Sequence, residues 1–159
     1  MKTMIVTACG ERKNPMPMLA YKLYKSSRIK AVYNRGGSLD MYILSAEYGL
    51  VSAYEVIGPY ERLMDEQRAE ELVPSVAKRI QDYDCVIFFK GGARKAYLSC
   101  IKAACDKARK TLVTFGYAHI GGINELPKIL GLLREGGLNG LTGIEHLEVF
   151  LYRSKRNTD

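Results

Sequence analysis

The sequence predicts a single α/β domain in which a largely parallel sheet of about five strands carries helices on both faces. Short apolar runs alternate along the chain with segments of helical periodicity. Strands that are buried on both faces are typical of parallel sheets covered by helices. The 159 residues suit one ordinary domain, which we expect at 1–152 with a basic tail at 153–159.

The predicted elements alternate between the two types of periodicity. In order, they are a strand at 3–8, a helix at 18–34, a strand at 41–45, a loop at 52–65, a helix at 66–83, a strand at 85–89, a helix at 94–108, a strand at 112–115, a helix between Asn124 and Gly136, and a strand at 146–152.

Local signals justify the bounds of these elements. Asp65 is a suitable N-cap for the helix that follows it, and Pro74 inside that helix predicts a kink or a break. Asn124 is a suitable cap for the last helix. The strand at 146–152 alternates apolar and polar residues, which indicates an edge position with one exposed face.

Basic residues are concentrated in two segments of the chain. Residues 1–39 contain eight Lys or Arg and one acid, and 90–110 contains seven basic residues and one acid. The segment between them, 40–89, is acidic, with ten acids and four basic residues. If the fold brings the two basic segments together, one face attracts phosphate groups. The alternative is that these charges only solvate two helices.

Several classes of protein are excluded by composition. No apolar run approaches the ~20 residues that span a bilayer, and the N-terminus lacks a signal-peptide core, so we expect a cytoplasmic protein without membrane association. The four cysteines form no CxxC pair, and only two histidines accompany them. We therefore expect no metal site. Neither a P-loop nor a dinucleotide fingerprint is present, so we also expect no tightly held cofactor.

The loop after the first strand carries donors that suit an anion. Ligands of open parallel sheets bind beyond the carboxyl ends of the strands. Gly10 permits close backbone approach there, and Arg12 and Lys13 offer charged donors, with solvated surface charge as the alternative. Cys9 is a candidate nucleophile; the alternative is a small buried residue at a strand end. Farther along, Ser26-Ser27 indicates either a helix break or hydroxyls that face a ligand.

The segment after the second strand is the most unusual. Glu47 and Tyr48 follow a buried strand directly, and Gly49 provides a turn. A carboxylate at this position is a candidate general base or a reader of a base edge, unless it forms a salt bridge with a basic helix. Glu55 lies in the loop at 52–65, and loops of that length in compact domains are usually functional or mobile.

The loops after the third and fourth strands add further candidates. Lys90, Gly91, Gly92 and Arg94 precede a helix, whose free N–H groups and dipole favour an anion. The alternative is that the glycines serve packing alone. His119 is the best general acid or base by residue type, with a structural histidine as the alternative.

Four stretches carry a family resemblance: VTACGERK at 6–13, AYKLYKSS at 20–27, YILSAEYGLV at 42–51 and EVIGPY at 55–60. They resemble a family of small prokaryotic domains that is similar to the peroxide-stress protein YaaA. A weaker similarity runs to the domain of archaeosine synthase that acts on a deazaguanine base in tRNA. The resemblance implies DNA binding or base modification. The positions it implies for the site are Cys9, Lys13, Tyr24, Ser27, Ser45, Tyr48, Gly49, Glu55, Pro59 and Tyr60.

Three functions remain open on these observations. The first is binding of nucleic acid or a nucleobase, with phosphate held by Arg12, Lys13 and the helix start at Gly91-Gly92. In this function Tyr48 or Tyr60 stacks on a base, and Glu47 or Glu55 reads its edge or moves a proton. The second is an enzyme that acts on a free nucleotide or a small phosphorylated metabolite. The third is a non-catalytic regulatory or oligomeric module, which predicts an exposed apolar patch.

Overall fold

Six strands form the central sheet of the computed structural model, which describes residues 1–152. Two further short strands pair with each other outside it. The central strands in spatial order are β4 (Gly49–Ser52), β3 (Asp40–Ser45), β1 (Thr3–Ala8), β6 (Cys85–Phe89), β7 (Thr111–Phe115) and β8 (Glu148–Phe150). The separate pair is β2 (Met18–Leu19) with β5 (Val56–Ile57).

The prediction of an α/β domain is confirmed, but the predicted strand count and direction need correction. The four central strands β3, β1, β6 and β7 run parallel, whereas both edge strands are antiparallel. The sheet is therefore mixed and has six strands rather than about five. The strand of this sheet that the sequence did not predict is β4. It pairs with β3 through a hairpin in which Gly49, at φ +75°, begins the return strand. The short strands β2 and β5 were not predicted either; they replace the start of the predicted helix at 18–34 and part of the predicted loop at 52–65.

Five α-helices lie within residues 1–152. They are α1 (Ala20–Leu23), α2 (Ser27–Arg35), α3 (Glu66–Ile80), α4 (Lys95–Ala108) and α5 (Glu125–Gly136), with a 3₁₀ turn at Gly137–Gly140. Helix α3 packs on α4, and α2 contacts α5. Because crossovers between parallel strands are right-handed, α2 lies on one face of the sheet and α3 with α4 on the other.

Helix α3 continues through Pro74 without a break. Proline removes one N–H donor, and the carbonyl left without it belongs to Glu70. Both residues are exposed, so water can hydrate that carbonyl. Asp65 caps the helix as predicted, since its side chain accepts from the N–H of Arg68 at 2.7 Å. Asn124 precedes α5 but its side chain makes no capping bond there; it accepts instead from Arg35 at 3.1 Å.

The predicted helix at 18–34 is split in the structure. The first half is the single turn α1, and Tyr24 and Ser26 then adopt extended backbone before α2 begins. The cause is local: Ser26 accepts from the N–H of Ile29 at 3.2 Å and so acts as the N-cap of α2. This break places the start of α2 at the carboxyl edge of the sheet.

The core lies between the sheet and its two helix layers. All residues of β6 and β7 are buried, as expected for central strands covered on both faces. Two buried threonine hydroxyls in this core, those of Thr7 and Thr114, have no hydrogen-bond partner among the described residues. The predicted basic tail at 153–159 lies outside the described residues.

Candidate functional site

A pocket of about 330 Å³ opens at the carboxyl edge of the sheet, between β1 and β6. The chain leaves β1 toward β3 on one side and later leaves β6 toward β7 on the other. The loops after these neighbouring strands therefore diverge, which is where open α/β sheets bind ligands. This β1–β6 pocket is lined by Gly10, Glu11, Arg12, Lys25, Ser26, Ser27, Arg28, Gly92, His119 and Ile120.

Backbone pairing between two segments places Arg12 and Lys25 side by side on one wall of the pocket. The extended segment after α1 lies antiparallel to the loop after β1, with Lys13 and Tyr24 forming a bridge. The N–H of Lys25 donates to the carbonyl of Arg12 at 2.8 Å. Arg12 and Lys25 are therefore neighbours because the helix is broken between them. Both side chains are exposed, and neither forms an ion pair with a described residue.

The start of α2 forms a second wall. Ser26 satisfies the N–H of Ile29, but the N–H groups of Ser27 and Arg28 make no hydrogen bond within residues 1–152. Free N–H groups in the first turn of a helix carry the positive end of its dipole. They therefore favour an anion beside the two cations.

Arg28 links the two strands that flank the pocket. Its guanidinium donates to the carbonyls of Cys9 at 2.9 Å and Gly91 at 3.3 Å. Its Nε is buried and has no partner in the described part of the chain. No described carboxylate forms an ion pair with it, and burial lowers the pKa of Arg28 from its ordinary value. A guanidinium that donates to carbonyls and pairs with no described carboxylate adds positive charge to the pocket.

The two basic segments of the sequence meet at this pocket. Glu11 is the acid in its lining, and it forms an ion pair at 3.0 Å with Arg94, which comes from the second segment. That pairing leaves Arg12, Lys25 and Arg28 without a described acidic partner. The β1–β6 pocket therefore carries a net positive charge.

The third wall of the pocket is formed where the backbone of Gly91 and Gly92 packs against the backbone of His119. A Cβ atom on Gly91 would lie 2.5 Å from Cζ of Phe89 and 2.6 Å from the His119 carbonyl oxygen. Gly92 has φ +69°, and its Cβ would lie 2.8 Å from the Cα atom of His119. Tight packing at both positions thus requires glycine. His119 itself adopts φ +44°, which is uncommon for a residue with a side chain.

Three hydroxyl groups form a separate cluster beside the pocket. Ser45 donates to the hydroxyl of Tyr60 at 2.8 Å, and the hydroxyls of Tyr60 and Tyr24 lie 2.7 Å apart. Ser45 also accepts from the N–H groups of Glu47 and Tyr48. Burial raises the pKa of Tyr24 and Tyr60, so both stay protonated at neutral pH. This hydroxyl cluster connects the segment after α1 to the end of β3 and to the loop after β5.

Lys13 and Cys9 contact the same region from the loop after β1. The ammonium of Lys13 lies 4.2 Å from the ring centre of Tyr60 and 5.7 Å from that of Tyr24. Cys9 is 5% exposed, and its Sγ lies 2.9 Å from the hydroxyl of Tyr97. Both residues therefore have partners within the fold, and Lys13 covers part of the Tyr60 ring.

The predicted carboxylates lie outside the β1–β6 pocket. Glu47 forms an ion pair with Arg62 at 3.7 Å. Glu55 pairs with Arg79 and accepts from the N–H of Ser52 at 3.0 Å. The remaining predicted residues of this region are Tyr48, whose hydroxyl donates to Gly58 at 3.2 Å; Gly49, at the start of β4; and Pro59, on the surface.

The structure thus divides the predicted site residues into groups. The β1–β6 pocket contains Gly10, Arg12, Ser27, Gly92 and His119, with Gly91 behind its wall. The hydroxyl cluster and its contacts contain Lys13, Tyr24, Ser45 and Tyr60. Cys9 contacts Tyr97 instead. Lys90 and Arg94 line a neighbouring pocket.

Sequence reasoning missed three polar residues of this region. Lys25, Arg28 and Tyr97 lie inside the predicted helices at 18–34 and 94–108 and were not among the candidate site residues. The Ser26-Ser27 pair was the available signal, because a cap at Ser26 turns the following residues toward the carboxyl edge. No comparable signal pointed to Tyr97.

Two negative observations concern the described part of the chain. Among residues 1–152, no group of three or more His, Cys, Asp or Glu side chains is arranged to hold a metal ion. None of the helices in the same range has the length and apolarity that a bilayer crossing requires.

Comparison with known proteins identifies a family but no activity. A search of curated proteins and a search of solved structures gave no significant match. The model of a family of unknown function, DUF6884, matches residues 4–116. That range extends from β1 to the end of β7 and contains the basic segment 90–110 and residues 4–39 of the first one. The chain therefore belongs to the family of unknown function DUF6884.

Proposed function

We propose that this chain binds nucleic acid through phosphate contacts in the β1–β6 pocket. The observation that carries the proposal is the convergence of Arg12, Lys25 and Arg28 with the free N–H groups of α2 at the switch point of the sheet. Phosphate contacts supply most of the sequence-independent affinity of proteins for nucleic acid.

The chemistry of the pocket suits a phosphate group in particular. Helix N–H groups bind oxygen atoms of anions, and guanidinium groups match the geometry of phosphate oxygens. The acid of the lining, Glu11, is neutralised by Arg94. The resemblance to YaaA-like proteins supports the same proposal, since it implies DNA binding or base modification.

The proposal is tested by binding of fluorescent single- and double-stranded DNA and RNA over a range of salt concentrations. Each phosphate neutralised contributes about −0.9 to the slope of log affinity against log salt on duplex DNA, and about −0.7 on single strands. The double variant Arg12→Ser and Lys25→Ser should therefore make the slope shallower by about 1.4 to 1.8.

Lys107→Ser is the matched control for charge. Lys107 is an exposed cation in the last turn of α4, at the opposite end of that helix from the pocket. Its loss should leave the slope nearly unchanged. The proposal fails if no polymer binds at low salt, or if Lys107→Ser weakens binding as much as Arg12→Ser does.

A free nucleotide is the competing ligand for the same pocket. The volume of about 330 Å³ is at the small end of ligand sites, which suits a compact phosphorylated molecule. A mononucleotide that binds tightly with little dependence on salt, while polymers do not bind, would favour an enzyme or sensor of free nucleotides.

A further inference from the structure

A second pocket of about 340 Å³ adjoins the β1–β6 pocket at the carboxyl edge. We call it the aromatic pocket; its lining includes Lys90, Arg94, Lys95, Gly116, Tyr117 and His146. The two pockets share a boundary. Arg94 of the aromatic pocket pairs with Glu11 of the β1–β6 pocket at 3.0 Å, and the segment 116–120 lines both.

Two ring systems lie together at the mouth of the aromatic pocket. The ring centres of Tyr117 and His146 are 4.7 Å apart, with 42° between their planes. Tyr117 is nevertheless 60% exposed, and its hydroxyl makes no hydrogen bond within residues 1–152. An exposed aromatic side chain beside a pocket offers ring surface to a partner.

The Tyr117 ring is held in place by backbone rather than by other side chains alone. A Cβ atom on Gly121 would lie 2.8 Å from Cε2 of Tyr117, and one on Gly122 would lie 3.2 Å from Cε1. The backbone of the two glycines therefore packs directly against the ring. A ring fixed in this way loses little freedom when a ligand stacks on it, which favours affinity.

The cations around this pair suit a phosphorylated ligand. Lys90 pairs with Glu148 at 3.2 Å, and Arg94 pairs with Glu11. The Arg94–Glu11 pair is exposed, and such pairs stabilise the fold little, so a phosphate can replace the Glu11 carboxylate. Lys95 is exposed and forms no ion pair with a described residue. Stacking rings among cations are the features by which proteins bind unpaired bases.

We propose that the aromatic pocket holds an unpaired nucleobase, stacked on Tyr117 and His146, of the same ligand whose phosphate lies in the β1–β6 pocket. The inference rests on the proposed function and specifies its ligand. A base in an intact duplex has both faces covered by its neighbours, so the ligand is a single strand or a free nucleotide. Tyr117 and His146 lie beyond the segment 4–116 that defines the family match.

The experiment compares two polymers of equal charge. One is an oligothymidine that carries a single 2-aminopurine base, and the other is an abasic phosphodiester strand of the same length. The chain has no tryptophan, so the fluorescence of 2-aminopurine reports stacking without overlap from indole. The base-bearing strand should bind about 5- to 150-fold more tightly per stacked base, with quenching of its fluorescence.

Three variants connect this preference to the pocket. Tyr117→Ala should remove the preference and the quenching, whereas Tyr117→Phe should retain both because it keeps the ring. Tyr54→Ala is the matched control, since Tyr54 is also 60% exposed but stands beside Tyr21 and Tyr33 instead. Thermal unfolding of each variant shows whether it is folded.

The outcomes distinguish this inference from the proposed function. Equal binding of the abasic and base-bearing strands overturns the base site and leaves the phosphate site standing. Absence of binding by both strands at low salt overturns the proposed function. If the free 2-aminopurine nucleotide does not bind either, the inference is overturned with it. Quenching of the free nucleotide's fluorescence, without binding of either strand, supports the base site with a free nucleotide as its ligand. Loss of the preference in Tyr117→Phe contradicts stacking as its cause.

Discussion

The hydroxyl of Tyr60 provides the sharpest test of how the site is held together. Substitution of Tyr60→Phe removes one oxygen atom and keeps the ring beneath Lys13. Two hydrogen bonds are lost: the one that Ser45 donates at 2.8 Å and the one shared with Tyr24 at 2.7 Å. Ser45 is 0% exposed and Tyr24 is 1% exposed, so water cannot readily replace either bond.

The expected cost follows from those two bonds. A hydrogen bond contributes about 0.5–1.5 kcal/mol net, and a buried group left without a partner costs about 1–3 kcal/mol. Ser45 keeps its two backbone donors, but its own O–H loses its acceptor, so the penalty falls on the hydroxyls of Ser45 and Tyr24. We therefore expect Tyr60→Phe to lower the free energy of unfolding by about 2–3 kcal/mol. In a domain of this size that lowers the Tm by roughly 4–12 °C.

The measurement is urea and thermal unfolding of the wild type, Tyr60→Phe and Tyr48→Phe. Tyr48 is the matched control because it is 45% exposed and loses only a 3.2 Å bond to the carbonyl of Gly58. Its substitution should change stability by less than about 0.5 kcal/mol. If both variants unfold at the same urea concentration, the hydroxyl cluster does not hold the loops and the reasoning is wrong.

Three further predictions concern stability. Thr7→Val replaces a buried hydroxyl that has no partner within residues 1–152, and should raise the free energy of unfolding in urea by about 1 kcal/mol. Thr111→Val removes an acceptor used by the backbone N–H of Tyr152 and should not raise it. Gly91→Ala should lower stability by about 1–3 kcal/mol through overpacking, whereas Gly131→Ala, in open space within α5, should raise it by about 1 kcal/mol. Burial raises the pKa of Cys100 from 9.0 to about 12, so its contribution to stability is complete below pH 9 and declines toward pH 12, by ~1.4 kcal/mol per pH unit. Urea midpoints from pH 8 to 10 should fall more in the wild type than in Cys100→Ala, and parallel curves would contradict this.

The sequence located the central strands because their burial leaves a simple pattern. Strands β1, β3, β6 and β7 lie within a residue of the apolar runs that predicted them. A strand covered on both faces must be apolar throughout, and such a run is readable without tertiary information. The short edge strand β4 was missed because four residues at the edge carry no equivalent pattern.

The break between α1 and α2 shows the limit of local reasoning. Helical periodicity over 18–34 was real, since buried residues occur in both halves. What separates the halves is the pairing of the segment at Tyr24 and Lys25 with the loop that contains Arg12. That pairing joins residues more than ten positions apart, so periodicity cannot report it.

The candidate site was predictable where strand order decides it and unpredictable where side chains find distant partners. Gly10, Arg12, Gly92 and His119 share the β1–β6 pocket because all follow the carboxyl ends of neighbouring parallel strands. The carboxylate of Glu47, by contrast, is oriented by an ion pair with an arginine fifteen positions away. No sequence pattern specifies such a partner.

The polar groups at this edge fall into two sets, and the division determines how variants should behave. In the hydroxyl cluster each hydroxyl is bonded to another within the fold, so a substitution such as Tyr60→Phe should change stability more than binding. The pocket cations Arg12 and Lys25 are exposed and without described ion-pair partners, so their loss should change binding and its salt dependence while stability stays nearly constant. If the hydroxyl cluster itself bound the ligand, Tyr60→Phe would bind the ligand more weakly even at temperatures where the variant is fully folded. Measuring both properties on the same variants therefore separates the framework of the site from its ligand contacts.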